Sequence, residues 1–225
     1  MKSRGIALEL ETCVGIAPDT SVSYDLSRYK NNGTLANITW SKLASGLYVR
    51  NFNGSSSLQT IASGTSLNFT ATQDFTIYSW VNLTSQAGYH TIMDKQGYKD
   101  ALAPGWALKY NDAVPTVDFH GADGVDLFSS TMTKSLHDGD WHFVAGKADR
   151  SGNATVQVDL VDGTPASMAA IGDITIALSV MIGRRNSVAG HWTLGQIGQQ
   201  GIFRYLLTDD ELNNIYQKTR FLYGA

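Results

Sequence analysis

Asp74-Phe75-Thr76-Ile77-Tyr78-Ser79-Trp80-Val81 alternates with a period of two along its whole length. Successive side chains of a strand point to opposite faces, so Phe75, Ile77, Ser79 and Val81 share one side and Thr76, Tyr78 and Trp80 the other. Both sides carry apolar bulk. The stretch therefore reads as a central strand, covered on one face by an opposing sheet and on the other by loops.

Working outward, shorter runs repeat the pattern with turn residues between them. Leu47 to Phe52 ends in Asn53-Gly54, and further strands are expected at Gly105 to Tyr110, Thr116 to His120, Trp141 to Ala148, Thr155 to Val161 and Ile174 to Ile182. Asp112, Gly121 to Gly124, Asp138-Gly139, Ser151-Gly152-Asn153 and Asp162-Gly163 punctuate them. One helix stands out. Thr208-Asp209-Asp210-Glu211 has the form of a capping box, and Leu212, Ile215, Tyr216 and Thr219 follow at helical spacing.

The composition agrees with strands and turns. The chain has 225 residues, 43% hydrophobic and only 16% charged, enough to bury a large core. Glu9, Glu11 and Glu211 are its glutamates, against a large excess of aspartate, which supports turns where glutamate favours helices. A net charge of −3 gives no electrostatic footprint for nucleic acid or anionic lipid. No segment has the apolar length of a membrane span, and Met1-Lys2-Ser3-Arg4 lacks the apolar run of a signal peptide. Cys13, the single cysteine, excludes an intramolecular disulfide and reads as a buried thiol. Six Asn-x-Ser/Thr triplets, at Asn32, Asn37, Asn53, Asn68, Asn82 and Asn153, are what a chain rich in Asn, Ser and Thr produces by chance.

Five local patterns fall in a meaningful order. Tyr24 to Leu35 contains D-x-S-x-x-x-N-x-G-T; Phe52-Asn53-Gly54 ends a strand; Asp74 to Val81 is D-F-T-I-Y-S-W-V; Leu136 to Ala145 contains D-G-x-W-H; and Gly195-Gln196-Ile197 leads into the Thr208 helix. Together they resemble the laminin-G-like jelly rolls of the concanavalin-A-like lectin and glucanase superfamily. The resemblance runs from about residue 5 to the C-terminus. It implies an all-β, two-sheet antiparallel jelly-roll sandwich with one short C-terminal helix, spanning 1–225 as a single domain.

The resemblance also frames the search for chemistry. Glucanases of the superfamily carry E-x-D-x-x-E on one strand, and nothing here matches: Cys13 and Val14 follow Glu9 and Glu11. Asp118 and His120 share a strand face, read as solvated, and His142 reads as a hydrogen-bonded strand residue. In the family a structural Ca²⁺ often lies between the opening Asp loop and a late acidic pair. Asp25, with Asn31 and Asn32, matches the first position, but Gly198 and Gln199 occupy the second, so calcium is disfavoured and no cofactor is expected. Asp123 and Asp126 form a weaker alternative. A glycan site would show aromatics beside loops, for which Tyr89, Tyr98, Trp106 and Trp192 are the candidates.

The implied role is non-catalytic. A lone laminin-G-like chain resembles the decoration, tail or spike subunits of virions, working on a virion surface or extracellularly as part of an oligomer. A carbohydrate-binding module recognising a cell-surface glycan is the alternative, and a glycoside hydrolase a distant third. The end Arg220-Phe221-Leu222-Tyr223-Gly224-Ala225 reads as an apolar tail past the helix, packing back on the protein or contacting another subunit.

Overall fold

The computed structural model describes residues 5–11, 13–97, 102–186 and 190–225. Among them, two antiparallel sheets are stacked face to face. One runs Val161–Asp162, Asn153–Val158, His142–Ala148, Phe75–Leu83, Leu194–Phe203, Tyr48–Asn53 and Thr39–Lys42, with Ile6–Glu9 also paired to Leu194–Phe203 and Ala166–Ser167 to Asn153–Val158. The other runs Leu127–Thr133, Thr116–Ala122, Gly105–Asn111, Tyr89–Gln96, Val180–Ile182, Leu58–Ile61, Gly33–Ala36 and Val22–Ser23. This is the jelly-roll sandwich the sequence implies.

The alternation read at Asp74 to Val81 decides how the layers stack. Phe75, Ile77 and Val81 enter the core between the sheets, with Trp106, Leu108, Tyr110, Val117 and Phe119 from the opposite sheet. Tyr78 and Trp80 point the other way, into a second apolar cluster with Leu47, Val49, Phe143, Leu212, Ile215 and Tyr223. What covers this second face is the C-terminal helix, not loops. The helix spans Asp209–Tyr223 and its capping box is complete: the Glu211 N–H donates to Thr208 Oγ1 at 3.2 Å, and the Thr208 N–H donates to Glu211 Oε2 at 3.0 Å.

The apolar end is likewise not a tail. Arg220 to Tyr223 form the last helical turn, which stops where Gly224 takes a left-handed conformation (φ 76°) that a side chain would strain. Tyr223 is buried, stacked on Trp80 at 4.5 Å between ring centroids, with Trp141 at 4.7 Å on the Tyr223 ring. Three other expectations need correction. Within Ile174 to Ile182 only Val180–Ile182 is strand, because the preceding backbone turns to meet other partners: the Thr175 N–H donates to Asp173 and the Ile176 N–H to Asn68. Tyr89 to Gln96, missed in the sequence, is a full strand whose charged residues hid its alternation. Cys13 is half-buried, and burial followed by Glu11 pushes its thiol pKa up to about 11.

Candidate functional site

The register of the second sheet sets up the site. Leu108 and Tyr110, like Val117 and Phe119, face the core, so Lys109 and the pair Asp118 and His120 must face outward. Pairing to the neighbouring strands adds Asp94 and Ser129 to the same outer face, since Asp94 and His120 both lie opposite Ala107, and Ser129 opposite His120. These side chains join into one row across four strands. Lys109 Nζ lies 3.3 Å from Asp94 Oδ2 and 3.5 Å from His120 Nε2; His120 Nδ1 lies 2.9 Å from Asp118 Oδ2; and the Ser129 hydroxyl donates to Asp118 Oδ1 at 2.7 Å.

The middle of the row is buried, contrary to the solvated face expected of His120, while Asp118 and Ser129 at its end are partly exposed. Asp94 and His120 are 0% exposed, Lys109 4% and Arg185 7%. Burial raises the Asp94 pKa and lowers that of Lys109; in each case the partner's opposite charge opposes the shift. Arg185 contributes to both, near enough for its charge to favour ionised Asp94 and disfavour charged Lys109. Ionisable groups gathered under an outer sheet face, away from the apolar core, are costly to bury, and such clusters concentrate at functional sites.

Aromatic and cationic groups stand beside the row. Tyr89 shares the outer face at the start of its strand, 38% exposed, with its ring on His191 at 4.7 Å between centroids. The Arg184 guanidinium sits 5.3 Å from the centre of the Trp192 ring. The backbone ties this segment to the strand, with the Gly183 N–H and the Thr193 hydroxyl both donating to the Thr91 carbonyl at 3.0 and 2.7 Å. Two of the four aromatic candidates, Tyr89 and Trp192, thus lie on neighbouring segments, joined through His191. Trp106 does not belong with them: it faces inward, 1% exposed, 6.3 and 6.2 Å from the Phe69 and Phe75 rings. Tyr98 lies outside the described residues.

The opening Asp loop is built differently from a cation site. Asp25 is buried, and its Oδ1 accepts the Glu9 and Ser27 N–H groups at 2.9 and 2.8 Å. Its Oδ2 accepts the Asn31 N–H and the Ser27 hydroxyl, both at 2.7 Å. Asn31 turns its amide to the Ala7 carbonyl, and Asn32 Oδ1 accepts the Asp25 N–H. The three residues lock the loop to the first strand, with donors pointing where a cation would have to sit. Asp123 is used similarly, accepting from the Val125, Asp126 and Gly172 N–H groups. Among the described residues no group of three or more His, Cys, Asp or Glu side chains is arranged to hold a metal ion.

A sequence model of the concanavalin A-like lectin/glucanases superfamily, of the laminin-G type, matches residues 52–213. The chain belongs to this superfamily. No curated protein sequence matches it. Among solved structures, the binding domain of Paraclostridial Mosquitocidal Protein 1 aligns with TM-score 0.75 and 14% identity over 96% of this chain and 52% of that one. The botulinum neurotoxin serotype G binding domain gives 0.75 and 14% over 95% and 51%. The botulinum neurotoxin DC binding domain, solved in complex with SialylT, gives 0.70 and 12% over 96% and 52%, and its complex with rat synaptotagmin II gives 0.71 and 13%. At such identity the likeness is one of fold, and the chain spans about half the length of these neighbours.

Gly198 and Gln199 occupy the late position at which the resemblance implies an acidic pair. The Leu194–Phe203 strand is irregular between Ile197 and Gln200, lifting both residues out of register. The Gln199 N–H donates to the Tyr223 hydroxyl at 2.7 Å, and a Cβ on Gly198 would run into the Tyr223 ring. The Gly198 carbonyl accepts from Arg50, whose other nitrogen reaches Gln59 across the sandwich. These positions seat the helix.

Proposed function

We propose that this chain is a non-catalytic docking domain that binds a cell-surface glycan with the outer face of its Tyr89–Gln96, Gly105–Asn111 and Thr116–Ala122 strands. The observation that carries the reading is the largely buried Asp94–Lys109–His120–Asp118 row beside Tyr89, Trp192 and Arg184. Interlocked polar groups are held in fixed orientation, and aromatic rings supply rigid contact area at small entropic cost. Hydrolysis is disfavoured because Asp94 is engaged by Lys109, and Asp118 by His120 and Ser129, in place of a carboxylate pair facing one substrate bond. The binding roles named for the fold neighbours, one of them solved with SialylT, support docking over a virion coat role.

A glycan array probed with the protein and with Arg184→Ala, Trp192→Ala and Tyr89→Ala tests this. At least one glycan class should bind the parent and lose about tenfold or more in affinity, equivalent to roughly 1.4 kcal/mol, in two of the three variants. Binding indifferent to all three sinks the assignment, and sugar release from β-glucans sinks the non-catalytic reading.

The virion-subunit reading keeps one point in its favour: Phe221, 65% exposed on the last helical turn, offers an apolar contact to another copy. Light scattering of the parent and Phe221→Ser decides it. A monomer in both ends the oligomeric reading.

A further inference from the structure

Asp94 lies opposite Ala107 in the strand pairing, so Lys109, two residues further along, is its diagonal neighbour on the same face of the sheet. Both side chains are buried, and Lys109 Nζ sits 3.3 Å from Asp94 Oδ2. An amine and a carboxyl group held in contact away from water are the two halves of an amide. We propose that the protein cross-links itself here, through an amide between Lys109 Nζ and Asp94 Cγ formed with loss of one water.

Three features of the row support the reaction. First, burial works against the ionisation that keeps amines and carboxylates from condensing in water. It raises the Asp94 pKa and lowers that of Lys109, against the pull of each partner's charge, toward a neutral acid and an amine with a free lone pair. Fixed contact then replaces a bimolecular encounter. Second, a base is in place. Lys109 Nζ is 3.5 Å from His120 Nε2, while His120 Nδ1 is 2.9 Å from Asp118 Oδ2. That carboxylate keeps the imidazole proton on Nδ1 and turns the Nε2 lone pair to the amine. The Ser129 hydroxyl fixes Asp118 in turn, donating to its Oδ1 at 2.7 Å. Third, the Gln96 N–H donates to Asp94 Oδ1 at 3.0 Å, the oxygen that gains negative charge when Cγ is attacked. No further reagent is needed. The Nζ lone pair attacks Cγ, and the carbonyl electron pair moves to Oδ1. His120 takes one proton from Nζ and passes it to the Oδ2 hydroxyl, which leaves as water while the carbonyl re-forms. The products are an amide and one water, with His120 restored. His120 is thus the catalytic base, and Asp118 and Ser129 position it.

The bond ties the Tyr89–Gln96 strand to the Gly105–Asn111 strand and does not depend on what their outer face binds. Its test is the intact mass of the full-length protein, unfolded in denaturant after purification. The parent should be lighter than its sequence by one water. Protease digestion should yield a branched peptide in which the segments carrying Asp94 and Lys109 are joined. Lys109→Met and Asp94→Ala should each restore the full mass. His120→Gln keeps both reacting groups and should slow the condensation by about 100-fold or more, so that freshly made, folded protein has its full mass and loses water only with time. Asp118→Asn, which favours the other imidazole tautomer, should slow it as well. The parent refutes the idea without any variant: its full sequence mass, with the two residues in separate peptides, means an ion pair only. A water loss that persists in Lys109→Met also overturns the cross-link, since it marks a succinimide at one of the Asp-Gly bonds. His120→Gln protein that links as fast as the parent overturns the part given to the imidazole.

Discussion

The indole N–H of Trp80 donates to Thr219 Oγ1 at 2.9 Å, linking the centre of the Phe75–Leu83 strand to the third turn of the C-terminal helix. Thr219 in turn donates to the Ile215 carbonyl at 2.8 Å, so one hydroxyl serves strand and helix together. Trp80 is fully buried, which makes this bond the polar pin in an otherwise aromatic contact. Thr219→Val keeps the shape and leaves the indole N–H unpaired. The expected cost is about 1–3 kcal/mol. Thermal unfolding should fall by about 2–4 °C per kcal/mol for a chain of this size.

Deleting residues 221–225 should destabilise the fold, because it removes Tyr223 from between Trp80 and Trp141 and frees the Gln199 N–H. A Tyr223→Ala substitution alone should cost about 3–5 kcal/mol, as for other large aromatic truncations in a core. Urea unfolding measures it. A melting temperature that holds after the deletion would return the segment to the status of an interface.

Two histidines should bend the pH dependence of stability in opposite directions. Burial lowers the His90 pKa to about 4, so the folded protein excludes a proton that the unfolded chain takes up. Stability should drop as pH falls from the ordinary value of 6.5 toward 4, and His90→Gln should flatten that limb. His142 has a raised pKa, so its contribution is complete below 6.5 and is lost as pH rises through the folded value. His142→Gln should therefore cost more in acid than in base. Urea midpoints across this range, paired with imidazole NMR titrations, check both.

EDTA should leave the melting temperature unchanged, since Asp25 spends its carboxylate on three backbone N–H groups and the Ser27 hydroxyl. Asp25→Ala, by contrast, should destabilise through those unpaired donors, each about 1–3 kcal/mol if fully buried. A fall of many degrees on chelation would show a cation site that the loop geometry argues against, because a ligand bound only by the folded state raises stability.

Lys95 ends in a pocket of oxygens, donating to Ser63 Oγ at 3.1 Å and to the Ile176 and Leu178 carbonyls at 2.8 and 2.5 Å. Burial lowers its pKa to about 8. Lys95→Met should release the segment around 174–178, read as faster amide exchange there, with the sandwich core unaffected. Because the folded pKa lies below the ordinary 10.5, the open segment holds a proton that the closed one gives up, so the segment should tighten as pH rises from about 8 toward 10.5.

The sequence by itself determined the layers and their order. Phe75, Ile77 and Val81 could face only an apolar layer, Tyr78 and Trp80 needed a second one, and Thr208 to Glu211 had to start a helix. These are short-range facts, set by a period of two and a four-residue cap, and they survive any tertiary arrangement. What covers Trp80 was not legible, because a strand face records only that it is apolar and not which segment more than a hundred residues away packs on it. Trp106 misled for the same reason: beside glycines and a proline it has the surroundings of a loop aromatic, and only its pairing with Gly121 and Lys95 turns it into the core. The charged row was hidden most completely. Asp94, Lys109 and Asp118 sit on three different strands, and nothing local to any of them marks the others as partners. Register between strands brings them within hydrogen-bonding reach, and that long-range pairing is decided by the fold as a whole, where the hydrophobic faces of all strands must agree at once.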